Sequence, residues 1–446
     1  MDNKQSMKKE LGVWSTTAIV VGQMIGTGIF MAPQGLAELA NPKVAILGML
    51  IAAVGTMLLA TTFTKMSEEN PVTGSAVVNT LDAFGSLPAF MVGWSYWCGC
   101  WVANGAIILG GLNYLSYFFP TLAGSGFIKY GVTIAVIWFY TFLDIKGIKE
   151  AGIMNLIMTI IKILPLAVFV IIAAMHFDSS YLSTVSSAKV SGMGTLPVAI
   201  AYCVWSFMGF EGACVNAGEV KDKSIIKKAT LIGTVLTAAI YILLVLLASG
   251  NLDQKSLAAS QSPFADIMRN LTGGSYWAGA FIALLAFVSA FGCVGAWINS
   301  TSRIAYSLSE YHLFPGSMAK LHPKFKTPVN ALIIDGILMT IIMLLAYFTK
   351  QGSLYNFFVL LATMSFLVFY SFGAASEIVL AGKKIMPFNL PNFISKSIIA
   401  LLAFGYGVYT IYGAGADYVM YGFLLILIGF PFFIYEKLKT EAEKEE

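Results

Sequence analysis

The sequence predicts an all-α integral membrane protein of twelve transmembrane helices, in two five-helix halves of inverted topology followed by two appended helices. Three observations predict it. Of 446 residues, 58% are hydrophobic and only 11% charged, with a mean hydropathy of +0.78, whereas soluble domains carry roughly 25% charge. Apolar runs of spanning length recur along the chain. Two of those runs, five spans apart, are interrupted by glycines.

Crossing a bilayer takes ~20 apolar residues per helix. Reading apolar runs between polar breaks gives spans at 12–38, 43–66, 84–119, 128–145, 153–175, 194–219, 228–250, 275–310, 328–349, 354–381, 396–413 and 417–436. The third and eighth are long enough to tilt or to continue outside the membrane. The first begins near Leu11 without a small-residue cleavage site, so it reads as a retained helix rather than a signal peptide. One transmembrane domain is expected: 1–176 as the first half, 194–381 as the second, 396–436 as the appended pair. The tail "KLKTEAEKEE", 437–446, reads as a solvated helix end.

Lysine and arginine placement sets the orientation. With the N-terminus in the cytoplasm, 20 cations fall on the inner side, from Lys4, Lys8 and Lys9 through Arg303 to Lys444, against six outside (Lys43, Lys129, Lys189, Lys255, Arg269, Lys350). Lys162 is left inside a span. Both termini are therefore expected in the cytoplasm, with the chain in the cell membrane.

Several functions are excluded by what the chain lacks. No basic run suits nucleic acid, and no nucleophile motif, phosphate loop or metal-binding histidine pair appears among His176, His312 and His322. The five cysteines all fall in apolar segments, and Cys98-x-Cys100 lacks redox or zinc-site spacing. No cofactor or metal is expected, and no enzyme activity.

The first interrupted span reads "GQMIGTGIF", Gly22–Phe30, and the sixth reads "WSFMGFEGACVNAGE", Trp205–Glu219. Paired breaks at corresponding places in two halves point to a transporter's central site. With five spans per half, the second copy starts from the opposite face, which forces the inversion. Unwound backbone at mid-membrane is tolerated only where it lines a polar cavity. Half-helix N-termini attract anions and C-termini cations, and an amino acid carries both charges at one end. Gly26, Thr27 and Gly28 would present N–H groups to a carboxylate, and carbonyls around Ile25 and Trp205–Phe207 would accept from an ammonium, with Met208 in the same stretch. Gly22-x-x-x-Gly26 equally fits a small-residue helix-packing face. What separates the two readings is the recurrence of the break beside Glu211, an ionisable residue at membrane depth.

Four stretches carry a resemblance: "VVGQMIGTGIFMAP", "SYWCGCWVANGAIILGGLNYLSYFFP", "VWSFMGFEGACVNAGEVK" and "FGCVGAWINSTSRIAYSLSEYHLFP". The chain resembles the amino acid–polyamine–organocation superfamily, most nearly its basic amino acid/polyamine antiporters of the arginine/agmatine-exchanging type. The resemblance runs from the first span to about the tenth. It implies the LeuT-like five-plus-five fold and alternating-access exchange of an external amino acid for its decarboxylation amine.

It also implies residue roles. Gly26, Thr27 and Gly28 match the segment holding the substrate carboxylate, and Gln23 matches a polar gating position before it. Trp205 matches the aromatic lid, Trp297 the tryptophan bordering the side-chain pocket, and Asn104 a polar residue coupling substrate contact to helix movement. Tyr96, Glu211 and Tyr370 match the cytoplasmic gate. Lys162, in "IIKILPLAV", resembles the proton-linked, sodium-independent branches, where the ammonium takes a sodium ion's place and bridges the fifth span to the first. The alternatives are a lysine snorkelling to the interface, aromatics in the interfacial belt, and an asparagine bonding a neighbouring helix.

Glu377 reads as interfacial, and Asp144 and Asp335 as loop or helix-end residues. "FVLLATMSF" in the tenth span, with Gly99 and Cys100 in the third, suits a less polar or bulkier side chain than a guanidinium. The side chain is left open. The partners expected are amino acid and amine substrates and the bilayer, with a homodimer through the last two helices resting on family analogy alone.

The competing reading in the same class is a proton-coupled or facilitative uniporter, favoured by Lys162. A major-facilitator fold would need six-span repeats and a long central loop, but "KDKSIIKK" is short. A channel would need a filter or a charged ring, and neither is present in the sequence.

Overall fold

The structure, a computed structural model, describes residues 9–122, 126–183, 185, 192–348, 354–385, 387 and 389–445. Lys4, Lys8, Lys189 and Lys350, counted above for orientation, lie outside them. Among the described residues the chain is helical, with isolated bridges at Leu11–Val220 and Leu321–Pro328 as its only β pairing. Counting Val13–Leu39 once, nine helices among the described residues are long and apolar enough to cross a membrane, and Ile161–Met175, Met193–Phe207 and Val329–Leu345 are shorter apolar segments. This is a multi-pass membrane protein.

The helices are α1 (Val13–Met24), α2 (Thr27–Leu39), α3 (Pro42–Glu69), α4 (Ser75–Phe84), α5 (Ser86–Leu115), α6 (Phe127–Lys146), α7 (Ile148–Met175), α8 (Leu196–Phe207), α9 (Gly212–Val215), α10 (Lys223–Ser249), α11 (Gln254–Ala259), α12 (Pro263–Leu271), α13 (Tyr276–Glu310), α14 (Val329–Phe348), α15 (Leu354–Lys383), α16 (Leu390–Ala414) and α17 (Ala416–Glu445). Local chemistry explains several starts. Asn41, Asp222, Asp253 and Asn389 each accept a backbone N–H two or three residues on, satisfying a donor that the first helical turn leaves free. Pro42 and Pro391 occupy the first turn of their helices, where a missing N–H costs nothing.

Both expected interruptions are present. Between α1 and α2 the chain leaves helical geometry at Ile25 (φ −80, ψ 83) and Gly26 (φ −121, ψ −149). Between α8 and α9 it does so at Met208 (ψ 140) and Gly209 (φ 107). Around these breaks α5 packs along α13 and α15, α13 along α7, and α10 along α3 and α1. In turn α3 packs along α8, and α6 along α14. The N-terminal strand-like segment is tied to the end of the second break. Glu10 and Leu11 donate to the Glu219 carbonyl, and Lys221 donates back to Leu11.

Three helices fall outside the twelve expected runs. α4 is bracketed by Gly74 and Gly85, both at positive φ (68 and 89), and is too short to register as a span. α11 and α12 form a cap between α10 and α13. α12 is amphipathic, burying Phe264, Ile267 and Met268.

One expectation needs correction. Asp335 is no helix-end residue: it lies in the second turn of α14, fully buried, with its Oδ1 accepting from Trp97 Nε1 at 2.7 Å. The apolar run simply continues through it, so hydropathy alone gives no sign of burial. Arg303, counted among the inner-side cations and lying within the eighth expected span, is fully buried in an ion pair with Glu219. Asp144 sits in the last turn of α6, as expected, but is also buried. Glu377 pairs with half-exposed Lys65 at 2.5 Å, which suits an interfacial position. In the tail, Lys437–Glu441 and Lys439–Glu443 are exposed i,i+4 pairs on α17.

Candidate functional site

The break in the first span leaves two sets of backbone groups without helical partners, and the two sets are treated differently. The carbonyls at the end of α1 are met by side chains from other helices. Lys162 Nζ, from α7, donates to Gly22 O at 2.7 Å. Trp297 Nε1 and Cys293 Sγ, from α13, both donate to Gln23 O at 3.2 Å. Tyr241 OH, from α10, donates to Met24 O at 2.5 Å, and Ser289 Oγ approaches Ile25 O at 3.5 Å.

The N–H groups opening α2 are not met. Gly26 supplies no side-chain cap, and among the described residues nothing accepts from the N–H of Thr27, Gly28 or Ile29. A buried helix start of this kind is an anion site in waiting.

Polar groups with unmet capacity stand beside it. The Thr27 and Ser206 hydroxyls and the Trp205 indole N–H are buried and lack a hydrogen-bond partner. Trp205 and Ser206 flank Gly28 so closely that a Cβ there would lie 3.2 Å from Ser206 Cα and 3.3 Å from the indole. At Gly26 a Cβ would sit 2.6 Å from Cys293 Sγ.

In the second break, Met208 N–H returns to Val204 and Trp205 carbonyls, while the Ser206 and Phe207 carbonyls receive no donor among the described residues. Orphan donors of one broken helix thus lie beside orphan acceptors of the other.

The two breaks also pack on each other. A Cβ on Gly209 would fall 2.6 Å from Gln23 Cβ and 2.9 Å from backbone atoms of Gln23 and Met24. Only glycine suits that position, because its φ of 107 adds steric cost for any other residue. Gln23 reaches past it, its Nε2 donating to Ala296 O at 2.9 Å and Ser300 Oγ at 2.5 Å.

Glu211 follows directly. Its carboxylate accepts from Tyr96 OH (3.1 Å), Tyr370 OH (3.0 Å) and the Gly209 N–H (3.1 Å), and is fully buried. Three elements, α5, α15 and the second break, therefore meet on one carboxylate. Aromatic rings close around them: Tyr96 against Phe369 and Phe366, Phe210 against Tyr370, and Phe366 against Trp297.

Every sequence-predicted site residue except Asn104 is thereby placed at or against one of the breaks. Met208 is the buried residue ending α8. Asn104 is fully buried in α5 with neither amide atom hydrogen-bonded. It lies six residues, about 9 Å of helix rise, from Gly110, whose backbone packs on Thr27. Sequence reasoning missed Ser289, Cys293, Tyr241, Phe366 and Phe369. The first two had a legible signal: with Trp297 they recur every four residues on α13, one stripe facing the break.

A family model described as amino acid permease matches residues 11–434. The arginine/ornithine antiporter of Pseudomonas aeruginosa is 29% identical over 443 residues, covering 96% of this chain and 91% of that protein. The arginine/agmatine antiporter of Chlamydia caviae is 29% identical over 462 residues, covering 99% and 93%. A putative arginine/ornithine antiporter of Bacillus subtilis is 26% identical over 468 residues, covering 98% and 99%.

Proposed function

This chain belongs to the amino acid permease family, and on that premise we propose that it is an antiporter exchanging an external amino acid for an internal amine, its decarboxylation product, by alternating access. The observation that carries the reading is the unequal treatment of the first break. Protein side chains neutralise the carbonyl end, and the N–H end is left open to a carboxylate. The α-amino group, one carbon away, meets the Ser206, Phe207 and Ile25 carbonyls. Trp205 lies over Gly28 as a lid, and the Trp297 ring, Asn104 and Met208 border the substrate side chain.

Twelve spans in two inverted halves suit the packing. Numbering the spans through the two breaks, α1–α2 is the first and α8–α9 the sixth. The first packs on the seventh and the sixth on the second; the third packs on the tenth and the eighth on the fifth. Shifting by five converts each pair into its counterpart. With the termini in the cytoplasm of a cell-membrane protein, Gln23, Tyr96, Glu211 and Tyr370 form the inner gate. Spans one, two, six and seven rock against three, four, eight and nine to open it.

The names of the relatives pair arginine with ornithine or with agmatine, so a basic amino acid is the first substrate to try. Glu211 is fully committed within the gate, which leaves a cationic side chain to aromatic faces, worth about 0.5–2 kcal/mol, and to amide dipoles. A thermal-shift panel of purified protein with free amino acids and amines tests the site, since a ligand of the folded state raises the melting temperature. A matched amino acid/amine pair among the stabilisers supports the reading, and stabilisation by no amino acid contradicts it.

Lys162 favours a second reading, a proton-coupled or facilitative uniporter. Its ammonium holds the Gly22 carbonyl with no acid beside it in that contact. A pH gradient driving uptake into unloaded vesicles would support that reading against obligate exchange.

A further inference from the structure

Below the gate, three buried charged side chains do not balance. Arg303 of α13 donates through Nε to Glu219 Oε1 at 3.0 Å and through Nη2 to Oε2 at 3.4 Å, and its Nη1 reaches Ser302 Oγ. Arg303 and Glu219 are both buried. Asp144, from the last turn of α6, is buried as well and meets α13 at Asn299, one helical turn before Arg303. Its Oδ1 has only Asn299 Nδ2, at 3.4 Å, and its Oδ2 has no hydrogen-bond partner. The Asn299 side-chain amide oxygen Oδ1 is likewise unpartnered. Asn299 and Arg303 are four residues apart on α13, hence on one face, with Asp144 beside that face.

One guanidinium is thus paired with one carboxylate, while a second, from another part of the molecule, meets the same helix one turn away. Glu219 ends the short helical turn after the second break, and its backbone is tied to Leu11 before α1. It travels with the elements that must leave for the inner side to open. Asp144 and Arg303 belong to the fourth and eighth spans, in the opposing body. A buried carboxylate oxygen without a partner is costly, and Asp144 Oδ2 is one, on a residue that meets α13 one turn from Arg303.

We propose that Arg303 is a two-position latch: bidentate on Glu219 while the inner end is shut, and transferred to Asp144 when the broken spans swing away. The transfer keeps the guanidinium paired in both states, so neither state buries it alone. Arg303, Glu219 and Asp144 are then gating residues in addition to the Tyr96–Glu211–Tyr370 set. Asp144 acts by giving the open state a partner for Arg303. The inference rests on the alternating-access reading for which bodies move.

The test measures the inner opening directly. Full-length protein carries spin labels at Lys146→Cys, on α6, and Lys223→Cys, at the start of α10, both exposed; the five native cysteines are buried. Distance distributions are recorded in lipid. Glu219→Gln should raise the long-distance population at least about tenfold relative to the short one, the factor one charge-assisted hydrogen bond carries. Asp144→Asn should move the ratio the other way by a similar factor, because it removes only the open-state partner. Melting temperature checks that each variant is folded, and Glu219→Asp replaces Glu219→Gln if the latter does not insert.

Opposite shifts support the latch. Shifts in the same direction, or none from either variant, overturn it and leave Asp144 a packing residue. Labelled amino-acid counterflow by the unsubstituted protein is run in parallel. Its absence would sink the exchange reading, whereas the distance ratios report on the latch whether or not exchange is found.

Discussion

At Gly28, the account reduces to a hydrogen atom in place of a side chain. The residue opens α2 against Trp205 and Ser206, where backbone N–H groups can meet a carboxylate only if nothing projects between. Gly28→Leu should abolish amino-acid stabilisation in a thermal-shift assay while the protein still elutes as an inserted, folded species; retained binding would favour helix packing as the glycine's role. Lys162 is the converse case, a side chain that completes the backbone. Lys162→Met leaves the Gly22 carbonyl buried and unpaired, a cost of about 1–3 kcal/mol. Its melting temperature should fall, and ligand-induced stabilisation should weaken because the α1 end is no longer fixed. Both residues were legible in the sequence, as glycines in an apolar run and a lysine at membrane depth. What the sequence withheld was which carbonyl the lysine reaches, since that depends on how α7 packs on α1.

Among the elements, the two breaks hold each other in place. Gly209 combines a positive φ with backbone contact to Gln23 and Met24. Gly209→Ala should cost about 1–2 kcal/mol from backbone conformation alone and more from the collision, read as a lowered unfolding midpoint. Tyr96→Phe and Tyr370→Phe each remove one of the two hydroxyls that bond Glu211. Either should raise accessibility of the site from the inner side to a membrane-impermeant thiol reagent, and unchanged labelling would remove the triad from the gate. Hydropathy foretold the long helices because each is a nearly unbroken apolar run. It could not foretell α4, α11 and α12, whose lengths are below a span, or the burial of Arg303 and Asp335. Their partners, Glu219 and Trp97, come from distant segments.

For the whole molecule, the proposed exchange needs two bodies that rock about a site shared by both halves, and packing that repeats on a shift of five spans would supply them. Such a carrier exchanges when the loaded form reorients readily and the empty form does not. Substrate identity is less legible than architecture, because rings and amides admit several chemistries and Glu211, the buried acid at the second break, is already bonded by Tyr96, Tyr370 and the Gly209 N–H. The most direct measurement is therefore counterflow in proteoliposomes. Vesicles loaded with agmatine or ornithine should take up labelled arginine much faster than empty vesicles, with saturation and with loss of the stimulation in Gly28→Leu. Equal rates in loaded and empty vesicles would contradict obligate exchange.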